Sequence, residues 1–234
     1  TSVSHLLEGI LTQLGVTAGL SSTAERHIAG DVIVSRLTTP EAYEMHALLA
    51  LMRERGVEAV AIEVSAQALS RQRVDGIVFD VAGFTNLSHD HLDDYADMAE
   101  YFQAKLPLFR PDRSRRAVIC LDSASGADVV AACEVPYVTI GTPAIAADPD
   151  AAAAADWTVE ILDELPDGTR FRLSGPGGRS LSTTVPVIGR HMAANAAQAI
   201  VMIFEAGYDW ERITRVLDND VIRAYLPGRT ELVS

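Results

Sequence analysis

The chain has 234 residues, 48% hydrophobic and 22% charged, which suffices for one sizeable core and is too apolar for disorder. A net charge of −13 with two cysteines argues against a general nucleic-acid or anionic-membrane binder, a disulfide framework and a cysteine-rich metal site. No apolar stretch approaches the roughly 18 residues of a membrane span. The opening residues do not read as a signal peptide, and Cys120 and Cys133 suit buried free thiols in a reducing, cytoplasmic setting.

Val3, Leu6, Leu7, Ile10, Leu11 and Leu14 form one apolar stripe of a first helix, which Gly15 ends. Asp31–Leu37 is a short strand candidate. Thr39 and Pro40 predict a helix start, with Thr as cap and Pro in the first turn. Met45, Leu48, Leu49 and Met52 give that helix its buried stripe, and Gly56 stops it. Val57–Val64 reads as a strand buried on both faces. A short helix over Ser65–Ser70 and a second buried strand over Ile77–Phe84 follow. Then come a helix over Asp93–Leu106, a strand over Ala117–Leu121, a helix over Ala127–Cys133 and a strand over Tyr137–Ile140. This alternation predicts an α/β fold with a mostly parallel sheet flanked by helices.

Past Gly141 the pattern changes. Trp157–Leu162 and Thr169–Leu173 flank a Pro166-Asp167-Gly168 turn, and Leu181–Val187 follows Pro176-Gly177-Gly178. These predict a small antiparallel β subregion near residues 157–187. Helices over His191–Ala206 and Asp209–Leu217 come last. One domain with a β appendage is the expected organisation. The start at Thr1, one step from a strongly patterned helix, and the turn-like Pro227-Gly228-Arg229 suggest an internal portion of a longer polypeptide.

Ligands of open parallel sheets bind beyond the carboxyl ends of the strands. Three polar clusters fall there: Glu63 with Ser65, the run from Thr85 to Asp93, and Asp122. Glu63 reads equally as a cap for the Ser65 helix and as a metal ligand. His89, Asp90, His91 and Asp93 read equally as a solvated turn and as oxygen-rich ligands suited to Mg²⁺ or Mn²⁺. Of the 19 basic residues only Lys105 is lysine. A coding bias toward Arg explains the others and leaves that one unexplained. Arg71 and Arg73 can hold a phosphate or carboxylate or stand as solvated loop residues. Thr38 and Thr39 can meet a ligand or cap a helix. His5, His27 and His46 suggest no constellation.

In order along the chain, Thr38-Thr39-Pro40 resembles TTP, Glu63–Leu69 resembles EVSSHAL, and Arg73–Gly76 resembles RVDG. Phe84–Asp93 resembles FTNLSxDHLD, Tyr101–Lys105 resembles YFxAK, Gly189–Asn195 resembles GxxxxxN, and Pro227–Glu231 resembles PGRxE. On these motifs the chain resembles the central, ATP-binding domain of the Mur ligases, nearest the branch that extends UDP-N-acetylmuramoyl-dipeptide. The resemblance implies a P-loop-type fold over residues 1–234, with the P-loop strand and the flanking N- and C-terminal domains lying outside the chain. It implies a cytoplasmic, ATP- and Mg²⁺-dependent amide ligase of peptidoglycan synthesis, whose isolated central piece is inactive. The substrates would be UDP-MurNAc-L-Ala-D-Glu and a diamino acid, joined through an acyl phosphate; nucleic acid and membrane insertion are not expected, and the oligomeric state is not implied. By the same resemblance Thr1, Glu63, His91 and a carbamylated Lys105 would surround Mg²⁺. Thr38, Thr39, Ser65 and Arg73 would hold the UDP-dipeptide, and Asn195 and Arg229 would lie near adenine and ribose. Gln67 and Ala66 depart from the family's His and Ser. Two competing readings are another ligase of the superfamily, such as a folylpolyglutamate synthase, and a non-catalytic UDP-peptide-binding homologue without a P-loop.

Overall fold

The computed structural model describes residues 1–87 and 94–226. Helix α1 (Ser2–Gln13) leads into an antiparallel meander of β1 (Ala18–Ser21), β2 (Glu25–Ile28) and β3 (Asp31–Val34). After α2 (Ala42–Glu54), β4 (Ala59–Ile62) pairs parallel to β1, giving a four-stranded sheet in the order β3-β2-β1-β4. Then come α3 (Ala66–Ser70), β5 (Ala82–Phe84), α4 (Met98–Lys105), β6 (Ala117–Cys120), α5 (Ser125–Ala132), β7 (Tyr137–Gly141) and α6 (Pro149–Ala153). Strands β8 (Trp157–Leu165), β9 (Gly168–Gly175) and β10 (Arg179–Val185) form an antiparallel extension, and α7 (Arg190–Glu205) and α8 (Trp210–Leu217) follow. The second sheet has the order β10-β9-β8-β7-β6-β5, parallel from β5 to β8.

The period of two along β6 explains why helices cover both faces of this sheet. Val118 and Cys120 join a core with Leu6 and Ile10 of α1 and Ile200 of α7. Ala117 and Ile119 turn to the opposite core, with Phe84, Phe109 and Val129. A buried β-strand shows one residue to each side in turn, so both faces need an apolar cover. Trp157 and Phe171 are fully buried in the first core. Truncating either to Ala would destabilise by about 3–5 kcal/mol.

The expected α/β order and the antiparallel region near residues 157–187 are present. Several details differ. Two strands, β1 and β2, were not expected; each has four residues, too short for a period to stand out. Helix α2 starts at Ala42 with Glu41 as its cap position, so neither Thr39 nor Pro40 plays the expected part. Strand β4 is half-buried at a sheet edge, not enclosed on both faces. The strand expected over Ile77–Phe84 shrinks to β5, because Val78 is 47% exposed and Phe79 makes only an isolated bridge to Ser114.

Strands β4 and β5 are the facing edges of the two sheets. Ile62 at the end of β4 and Ala82 and Gly83 of β5 line one groove between them, with Leu7 of α1 and Met202 of α7 beneath.

Candidate active site

This groove holds about 640 Å³, a volume suited to a small-molecule ligand. Thr1, Thr38, Thr39, Glu63, Ser65 and Arg73 all line it, and so does Lys105. The fold therefore gathers seven of the ten residues singled out by resemblance. His91 and Arg229 lie outside the described residues. Asn195 does not line the groove; it sits on α7 with its Nδ2 3.8 Å from Met192 Sδ.

Glu63 follows β4 directly and is ringed by donors. Thr1 donates from Oγ1 at 3.0 Å, and its amino group lies at the same distance. Thr23 donates from both its backbone N–H and its hydroxyl at 2.9 Å. Burial pushes the Glu63 carboxyl up, but the Thr1 ammonium and the Thr23 hydrogen bonds outweigh it and hold the group below its ordinary value. The alternative of a cap is excluded, because Ser65 Oγ itself caps α3 by accepting from Ala68 N–H at 3.1 Å. An anionic oxygen ligand flanked by a hydroxyl suits a hard divalent cation such as Mg²⁺. Among the described residues, no three His, Cys, Asp or Glu side chains gather to hold a metal by themselves.

Thr23 was not anticipated, since nothing in a Ser-Ser-Thr run marks it. Its single hydroxyl proton goes to Glu63, so Thr38 Oγ1, 3.0 Å away, donates to it. Thr39 is fully buried; its hydroxyl donates to the Glu63 carbonyl at 2.9 Å and accepts from Ser65 N–H at 3.2 Å. Thr39 thus fixes the backbone on both sides of Val64 and aims Glu63.

Arg73 is 5% exposed. It donates to Thr39 O at 3.4 Å and pairs with Glu41 at 2.5 Å, while its buried Nε meets no partner among the described residues. Lys105 ends α4 and lines the groove, with Nζ 4.6 Å from the centre of the Tyr101 ring. Of the two departures, Gln67 donates to Asp94 and so ties α3 to the start of the segment before α4. Ala66 is 3% exposed, where a Ser hydroxyl would need a partner.

The third strand-end carboxylate serves a different place. Asp122 accepts from Thr142 N–H at 2.6 Å and clasps the ends of β6 and β7 outside the groove. Burial raises its pKa, and burial with the Asp122 charge pushes the Cys120 thiol up to about 12. Cys120 and Cys133 are both free, but only Cys120 is buried. The histidines also differ from expectation. His5 contacts Ser22 and Tyr225, and His27 contacts Glu8 and Glu25, with the two rings edge to face at 5.9 Å.

An α/β scaffold thus gathers a carboxylate, hydroxyls, a buried Arg and a Lys around one groove. Residues 1–203 match the Mur ligase middle domain, and the chain belongs to the Mur ligase family. It is 57% identical over 235 residues to a UDP-N-acetylmuramyl-tripeptide synthetase of Leifsonia xyli subsp. xyli, covering 100% of the chain and 44% of that relative. It is 40% identical over 233 residues to a UDP-N-acetylmuramoyl-L-alanyl-D-glutamate--2,6-diaminopimelate ligase of Streptomyces avermitilis, again covering 100% and 44%. The chain thus spans less than half the length of these relatives. A solved structure of a UDP-N-acetylmuramoyl-L-alanyl-D-glutamate--2,6-diaminopimelate ligase superposes with a TM-score of 0.77 at 22% identity, covering 93% of this chain and 43% of that one. A MurF structure from Acinetobacter baumannii gives 0.70 at 17% identity, covering 100% and 46%. These likenesses show the fold.

Proposed function

We propose that the polypeptide carrying this chain is an ATP-dependent amide ligase of peptidoglycan synthesis. It adds a diamino acid, as third residue, to UDP-MurNAc-L-Ala-D-Glu. The observation that carries this reading is the convergence of Thr1, Glu63, Thr39, Ser65, Arg73 and Lys105 on one groove. These positions come from five separate stretches of chain. The identity to relatives named for this reaction supports the same substrates.

A carboxylate is a poor acyl donor because its leaving group would be oxide. Transfer of the ATP γ-phosphoryl to it gives an acyl phosphate; the incoming amine then attacks the acyl carbon and phosphate leaves. Two anions must meet, so positive charge and orientation dominate the barrier. Arg73, with an unspent Nε–H, suits an anionic group of the muramoyl peptide. Thr1 and Glu63 present oxygens at the start of α1, where helix N–H groups favour phosphate. Mg²⁺, held by Thr1, Glu63, His91 and a carbamylated Lys105, would offset the charge of the phosphates. Carbamylation joins the neutral Lys105 amine to CO₂ with loss of one proton, which makes an oxygen ligand of a cation. Guanidinium cannot do this, which accounts for a single lysine among arginines.

The same groove supports the domain reading. Thr1 lies in its wall, and the unpaired edges of β4 and β5 face it. These edges suit the P-loop strand that the family resemblance places before Thr1, with further domains on either side. The test is ADP release by the full-length protein with UDP-MurNAc-dipeptide, ATP, Mg²⁺ and a panel of diamino acids. Release that depends on the amino acid supports the ligase; no release with any of them removes it.

A further inference from the structure

Segment 221–226 lies along α1 and runs against its direction. Gln13 Nε2 donates to Val221 O at 3.2 Å, and Arg223 N–H donates to Gln13 Oε1 at 3.0 Å. Next, Ala224 packs on Gly9, where any Cβ would come within 2.7 Å of Ala224 Cβ and of Arg223 O. Finally His5 Nδ1 meets Tyr225 O at 3.1 Å. Residues 5, 9 and 13 form one row of the helix, so the segment travels from the far end of α1 toward Thr1 and the groove.

His5 ends this row and is 1% exposed. A carbonyl only accepts, so Nδ1 carries a proton. Burial first, and His27 second, lower the pKa of the ring, which favours the neutral form with Nε2 as acceptor. Nε2 lies 3.0 Å from Ser22 Oγ, whose one proton has the Glu25 carbonyl as its other acceptor, also at 3.0 Å. Ser22 builds the β1–β2 turn: its N–H donates to Glu25 O at 3.0 Å, and Glu25 N–H donates to its Oγ at 3.1 Å. The next residue, Thr23, is the one that grips Glu63 with two hydrogen bonds.

We propose that His5 is a positioning residue that couples the seating of segment 221–226 on α1 to the placement of the Glu63 carboxylate, through Ser22 and Thr23. The part played by Glu63 rests on the ligase reading above; the coupling itself does not. One rigid ring serves both contacts, so a shift of Tyr225 that draws the ring along also moves the hydroxyl that shapes the turn.

The experiment uses the full-length protein and the variants His5→Asn, His5→Gln and Gln13→Ala. Asn offers a donor near Nδ1 and keeps Tyr225; Gln reaches toward Nε2 and keeps Ser22. Hydrogen exchange is read without substrate on peptides covering 20–26 and 219–226. Coupling predicts that each His5 variant speeds exchange in both segments, roughly five- to tenfold. It also predicts a rise of about the same factor in the Mg²⁺ concentration for half-maximal ADP release. Gln13→Ala, which loosens the same segment while His5 is intact, speeds exchange at 219–226 and, through the coupling, at 20–26 by a smaller factor. The proposal is overturned if Asn loosens only the turn and Gln only segment 219–226, since the two contacts are then independent. It is equally overturned if Gln13→Ala speeds exchange at 219–226 and leaves 20–26 unchanged, since unseating the segment then does not reach the turn. A wild-type protein that releases no ADP removes the ligase reading, and the exchange pattern still decides the coupling.

Discussion

Thr1 and Glu63, 62 positions apart, meet through a 3.0 Å hydrogen bond from the Thr1 hydroxyl. Thr23 supplies two further donors to the same carboxylate, so three segments converge on one charge. Glu63→Gln keeps the size and removes the charge. In the full-length protein it is expected to lower turnover by roughly 10²–10³-fold, the scale of one lost electrostatic contact in an active site. The fold should stay intact by circular dichroism. Turnover within a factor of two of wild type would remove Glu63 from the catalytic set.

The same carboxylate makes a pH prediction. Its folded pKa lies below the ordinary value of 4.5, so the unfolded chain binds the proton more readily. The stabilisation is complete above 4.5 and is lost as pH falls through the lower folded value. Thermal unfolding of the 234-residue chain, whose Thr1 ammonium supplies part of this shift, and of its Glu63→Gln variant should therefore show a gap across the acid range that closes below pH 4.5. A gap that widens there would contradict the sign.

Lys105 lines the same groove as Glu63 and lies against the Tyr101 ring. Lys105→Arg keeps a cation for that ring and cannot form a carbamate. Loss of ADP release by roughly 10²-fold or more is expected, with the fold intact by circular dichroism. For wild type, stripping CO₂ from the buffer should slow turnover and added bicarbonate should restore it. Indifference to both treatments would leave Lys105 without the carbamate role.

The two thiols should react at different rates. Cys120 is buried and its thiol is pushed up to about 12, so almost no thiolate exists near neutrality. Cys133, partly exposed and raised less far, should take up a thiol reagent slowly in the native protein. One fast equivalent appearing at Cys120 before unfolding would disagree with this packing.

Gly141 ends β7 against the backbone of α6, and a Cβ there would come within 2.2 Å of the Ala152 carbonyl oxygen. Backbone cannot swing aside as a side chain does. Gly141→Ala is expected to destabilise by about 1–3 kcal/mol, a fall of several degrees in calorimetric melting. Gly30, with open space around it, has a positive φ of 96°, so Ala there is strained by backbone conformation and not by contact.

Much of this was legible from one dimension. Apolar periodicity alone located α1, α7 and the order of alternating strands and helices, because a buried face imposes its period on the residues that form it. The motifs named Glu63, Ser65, Arg73 and Lys105 as candidates, and all four line one groove. Composition separated Lys105 from the arginines. Residues whose roles depend on a partner far along the chain were silent. Thr23 matters only because β1 pairs with β4 and brings its turn beside Glu63. His5 looked isolated until segment 221–226 was laid along α1. The choice between capping and ligand roles for Glu63 also lay beyond the sequence, since Ser65 competes for the cap and only the folded backbone shows which side chain reaches it. Local propensity and apolar pattern depend on neighbours in sequence and so determined the elements. Hydrogen-bond partnership and electrostatic setting depend on neighbours in space, and only the tertiary structure decided those.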